Sequence, residues 1–132
     1  MICLDANVLT RFVMDDDPKQ SRQARALIRK LTQANPGWIS LASVQELVWF
    51  LDRHVKVSRA DILFVLENFA ARSEFVMERA SELGDALHLY RQTRADFGDC
   101  LIAVLARAAG CTRVVTFDKI AARELGMDLI KA

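Results

Sequence analysis

The feature that most constrains this chain is an alternation of very short strand-like runs with longer helical ones. Residues 2–4, 38–39, 75–77, 114–116 and 129–130 are brief and mostly apolar, too short to be helices. Between them, apolar residues recur with helical spacing. The sets are Ala24, Leu27, Ile28 and Leu31, then Val44, Leu47, Val48 and Leu51, then Ile62, Val65, Leu66 and Phe69. Short strands alternating with amphipathic helices form a parallel sheet covered by helices on both faces, here with about five strands. The fold class is therefore α/β.

Helix ends are marked by punctuation. Residues 7–13 read as a short helix. Asp15, Asp16 and Asp17 before Pro18 make a strong helix start. Pro36-Gly37 marks a turn, and residues 41–54 a helix. Ser58 caps a helix over 58–72. A further helix covers about 80–95, weakened by Gly84, and another 99–109, ending at Gly110. The last covers 119–125 and stops at Gly126.

Composition removes several classes. At 132 residues the chain fits one domain, 1–132. With 52% hydrophobic and 27% charged residues it is globular and not disordered. No apolar run approaches the ~20 residues of a membrane helix. Asp5 stands too early to leave room for a signal-peptide core, so export is not expected. The cysteines are Cys3, Cys100 and Cys111, an odd set without metal-ligand spacing. Neither a disulfide framework nor a zinc site is expected, and a reducing cytoplasm fits. The net charge of +1 neither demands nor excludes a nucleic-acid partner.

In a parallel α/β sheet, ligands bind beyond the carboxyl ends of the strands. Asp5 and Asp118 stand at two such ends. Glu46 and Asp99 stand near helix starts expected at the same rim, with Asp96 close by. Each has a plain structural alternative. Asp5 could close an Asx turn, and Ser43-Val44-Gln45-Glu46 matches a capping box. Asp96 and Asp118 suit helix N-caps, with Asp99 well placed at a positive helix end. If they converge, the electrostatics change. Two carboxylates about 5 Å apart repel by roughly 3 kcal/mol at an effective dielectric of about 20. Such a cluster needs protons or a cation. Oxygen-only donors select Mg²⁺ or Mn²⁺, and such ions suit in-line displacement at phosphorus. His54 and His88 are paired with no nucleophile in the sequence.

Four blocks carry a resemblance. They are Asp5 and Asn7 within residues 2–9, Gln45-Glu46-Leu47 within 40–51, Asp96-Phe97-Gly98-Asp99 within 95–103, and Val115-Thr116-Phe117-Asp118. In this order they resemble the PIN domain, and within it the VapC toxin group of type II toxin–antitoxin systems. The resemblance implies a three-layer α/β/α fold and a metal-dependent endoribonuclease using Mg²⁺ or Mn²⁺. It implies Asp5 and Asp99 as main metal ligands, with Glu46 and Asp118 completing the shell. Asn7 and Thr116 would buttress these acids. Asp96 is an N-cap first and an auxiliary acid second. A homodimer, an RNA substrate and a VapB-like antitoxin covering the site are implied as partners.

An acidic site needs basic groups around it to hold RNA. Residues 18–31 carry Lys19, Arg22, Arg25, Arg29 and Lys30 and no acid. Arg22, Arg25 and Arg29 share one face, which is either a solvated surface or a phosphate contact. Trp49 and Phe50 point away from the apolar face of their helix, so one of them would be exposed, suiting a dimer contact or an antitoxin groove. Two other functions compete. A haloacid-dehalogenase-like phosphatase needs a second Asp two residues after Asp5, where this chain has Asn7. A non-catalytic PIN-like module, binding RNA or protein, would use the acids as caps only.

Overall fold

The computed structural model describes residues 1–131. The chain forms two compact units, Met1–Ala80 and a second beginning at Ser81. The first unit runs β1 (Ile2–Cys3), α1 (Ala6–Val13), α2 (Pro18–Arg29), β2 (Gly37–Ile39), α3 (Leu41–Trp49), a π-helical stretch (Phe50–Val55), α4 (Arg59–Ala71) and β3 (Phe75–Met77). Its strands form a parallel sheet in the order β1-β2-β3. Ile2 pairs with Gly37, and Gly37 with Phe75. Leu4, Leu9, Ile28, Ile39, Leu47, Leu51, Ile62 and Leu66 are sealed from solvent in its core. Glycine is needed at position 37. A Cβ there would stand 2.7 Å from Leu4 Cδ1 and 2.9 Å from Leu31 Cδ1, closer than side-chain atoms pack.

The second unit holds α5 (Ala80–Gln92) from its second residue on, then α6 (Phe97–Ala108), β4 (Val115–Thr116), α7 (Lys119–Leu125) and β5 (Asp128–Leu129). β4 and β5 pair in parallel, Val115 with Asp128 and Thr116 with Leu129. Gly126, at φ +68°, supplies the left-handed residue that ends α7. Cys100 is sealed in the interior, where Tyr90 and Phe97 meet edge to face at 5.8 Å.

The α/β class and the parallel strands are as the sequence implies. The five strands are present, in ladders of three and two among the described residues. Four local expectations need correction. Residues 41–54 are not one α-helix, because the backbone widens into the π-helical stretch after Trp49 and closes at Lys56, φ +61°. Leu27 is 38% exposed, and Ser21 takes the buried place, its hydroxyl donating to the Met14 carbonyl at 2.8 Å. Helix α5 stops at Gln92, where the Thr93 hydroxyl turns back to the Leu89 carbonyl at 2.8 Å. Helix α6 starts at Phe97, two residues before the expected start at 99, because Asp96 caps it. Among the described residues no helix is long and apolar enough to cross a membrane.

Candidate active site

In the first unit, Asp5, Asn7 and Glu46 come from two helices that leave adjacent parallel strands. The Leu4 amide donates to the Trp38 carbonyl at 2.9 Å, so β1 holds its place on β2 until one residue before Asp5. Asp5 occupies the N-cap position of α1, yet its carboxylate makes no capping hydrogen bond. The Asx-turn reading of Asp5 is therefore not supported. The α3 start is set by Ser40, whose Oγ accepts from the Ser43 amide at 3.0 Å, and by Glu78 Oε1, which accepts from the Leu41 amide at 2.8 Å. With the cap at Ser40, Glu46 lies well inside the helix. Its capping-box reading is wrong, because that box would have to begin at Ser43. Asn7 and Glu46 line one cleft of about 350 Å³ between α1 and α3. Arg11, which the sequence reading passed over, lines it too. The signal for it was the i, i+4 spacing from Asn7, which puts both on one face of α1.

In the second unit, Asp96, Asp99, Thr116 and Asp118 come from two helix starts and one strand. Asp96 Oδ1 accepts from the Asp99 amide at 2.8 Å. Asp118 Oδ1 accepts from the Ile120 and Ala121 amides at 2.8 and 3.0 Å. Both acids are N-caps, as their plain alternatives held. Thr116 Oγ1 accepts from the Asp118 amide at 3.0 Å and so fixes the backbone that carries the carboxylate. Asp99 is half-buried. Burial raises its pKa above the ordinary carboxylate range, and the charges of Asp96 and then Asp118 raise it further. A side-chain hydrogen bond with Asp96 acts in the same direction, because only protonated Asp99 has a proton to donate.

The other charged groups provide a contrast. Arg11, Arg25, Arg53, Arg72 and Arg113 pair with Asp16, Asp15, Asp52, Glu74 and Asp128 respectively. Among the described residues, none of Asp5, Glu46, Asp96, Asp99 and Asp118 has a basic partner. No group of three or more His, Cys, Asp or Glu side chains among them is arranged as a metal cage. In each unit taken by itself, the donor chemistry nonetheless fits a hard divalent cation. It is oxygen only, it lacks basic counter-charges, and Asp99 sits where ionisation is opposed by like charge.

Basic residues take two positions on the first unit. Arg11 is held by Asp16 at 2.9 Å and by Gln20 at 2.8 Å. Gln20, Gln23 and Leu27 of α2 line a second cleft, of about 300 Å³, with Asn7 and Arg11. Arg22, Arg25 and Arg29 lie on a different side of α2 by helical spacing. Arg25 has an acidic partner just outside the helix, Asp15 at 3.5 Å, which the inventory of residues 18–31 left out. Trp49 is 51% exposed, as its position off the apolar face requires.

A family profile described as PIN domain matches residues 2–124 of the chain. A VapC ribonuclease from Aquifex aeolicus (strain VF5) is 28% identical over 119 residues, a stretch covering 90% of this chain and 88% of that protein.

Proposed function

This chain belongs to the PIN domain family, and from that premise we propose that it is a metal-dependent endoribonuclease, the toxin of a VapBC-type toxin–antitoxin pair. The similar protein from Aquifex aeolicus is named a ribonuclease, which supports this reading. The family match runs through both compact units, which supports treating residues 1–132 as one domain. The observation that carries the proposal is the set of acids with no basic partner. Asp5 and Glu46 have no capping role, and Asp99 is opposed by like charge. Acids used only as caps would not include these three.

Asp5 and Asp99 would be the principal ligands of Mg²⁺ or Mn²⁺, with Glu46 and Asp118 completing the donor set. When bound, the ion would activate water and stabilise the leaving oxygen of a phosphodiester. Asn7 would buttress the acids of the first unit. Thr116 holds the Asp118 backbone. Asp96 fixes the α6 start, and its charge adds to the burial that raises the Asp99 pKa, an effect that a bound cation would offset. Arg22, Arg25 and Arg29 would contact phosphates of the RNA away from the cut. The proposed protein works in the cytoplasm as a homodimer, restrained by a VapB-like antitoxin. A phosphatase of the haloacid-dehalogenase kind is disfavoured by Asn7, which cannot act as the acid/base such chemistry requires.

Purified protein incubated with unstructured RNA tests the reading. Internal cleavage is expected with Mg²⁺ or Mn²⁺ and none with EDTA. RNA bound equally well with and without EDTA, but never cut, would make the protein a binding module.

A further inference from the structure

We propose that Trp49 is a stacking platform for an unpaired base of the RNA substrate. The inference rests on the nuclease reading and adds a subsite to it. Trp49 follows Glu46 by three residues on α3, so both project from the same side of the helix. Glu46, Trp49 and Phe50 line the α1–α3 cleft with Asn7 and Arg11. Despite its size, Trp49 leaves 51% of its surface in solvent. The core does not hold it there. Its ring is steadied instead by His54, which meets it at 66° with centroids 4.8 Å apart and also stacks on Phe50 at 5.4 Å. The π-helical stretch at Phe50–Val55 brings His54 back to these rings. Widened turns of this type often serve functional sites.

The surroundings suit a nucleotide. The cleft combines two aromatic rings with an amide, a guanidinium and a carboxylate, a stacking face beside donors and acceptors that a base edge can use. An aromatic face beside hydrogen-bonding side chains is how single-stranded RNA is held, base by base. Arg11 is kept in place by Gln20 and Asp16, so the cleft wall is set before a ligand enters.

The test uses the intact protein in EDTA, so that RNA stays whole. Trp38→Phe leaves Trp49 as the only tryptophan and its fluorescence as the reporter. Single-stranded oligouridine is expected to quench that emission saturably. By anisotropy of fluorophore-labelled oligouridine, which needs no tryptophan, Trp49→Ala is expected to weaken binding roughly five- to 150-fold, the range for one stacked base, and Trp49→Phe to restore most of it. Unchanged affinity in Trp49→Ala, with no quenching of Trp49 in the Trp38→Phe protein, overturns the proposal. Unchanged affinity together with a shift to smaller species in sedimentation also overturns it, and assigns Trp49 to contact between copies. The nuclease reading fails separately, if the wild type binds RNA with quenching but never cuts it with Mn²⁺.

Discussion

Asp99 meets one demand in folding and, as the proposed metal ligand, would meet an opposing one in ion binding. Its carboxyl is raised by burial first, then by the charges of Asp96 and Asp118. A group raised in the folded state contributes stability below its unfolded pKa, and that contribution is lost as pH rises through the folded value. Near neutral pH without divalent ions, Asp99→Asn should therefore be more stable than the wild type. The gap should close on acidification to about pH 4, the ordinary carboxylate range. Thermal melts in EDTA at both pH values check this. Equal gaps at both would remove the like-charge strain. A gain in stability on replacing Asp99 would fit the general trade-off between stability and function, if the acid serves the proposed site. Asp118 should behave differently, because its Oδ1 caps α7 through two amides. Asp118→Ala should lose about 1 kcal/mol in urea titrations.

At the scale of elements, Gly84 is the clearest point of design slack. It lies inside α5 and is exposed, and a Cβ added there meets nothing within 4 Å. Gly84→Ala should stabilise the protein by about 0.5–1 kcal/mol, read from the urea midpoint at unchanged slope. Loss of stability would mean that the glycine serves a purpose not visible in α5. The elements were largely legible in the sequence because punctuation and periodicity agreed. Ser58 caps α4, and residues 75–77 form β3, as expected. Where the two signals parted, the reading failed. Apolar residues stay in phase through Leu51, so nothing in residues 41–54 betrays the π-helical turn after Trp49. Ser21 is polar in sequence yet buried, because the Met14 carbonyl satisfies its hydroxyl. That partner is a tertiary fact. The Ser43 capping box failed for a related reason. Ser40 is an equally good cap, and Glu78, 37 residues from Leu41, reinforces it. At the candidate site, residue types and strand ends were legible. The missing basic partners and the place of Arg11 were not, since pairing between side chains leaves no periodic trace.

Over the whole molecule, a net charge of +1 hides an uneven distribution. Arg11, Arg25, Arg53, Arg72 and Arg113 pair with acids, while among the described residues the acids of the candidate site have no such partner. Helix α2 gathers basic residues on a separate side. If Arg22 and Arg25 contact RNA phosphates, reversing both charges should weaken binding. It should also flatten the salt dependence by roughly 1.4 in log–log slope, at about 0.7 per single-strand phosphate contact. An unchanged slope would make that face mere solvated surface. The central claim is that acids distant in sequence serve one reaction. Residues that act as a unit lose nearly everything when any one is removed, and little more when a second goes. RNA cleavage rates of Asp5→Asn, Asp99→Asn and the double variant, in saturating Mn²⁺, measure this directly. Each single variant should lose almost all activity, and the double variant should be no slower than the worse of the two. A single variant cutting at the wild-type rate, or losses that multiply in the double variant, would contradict the account.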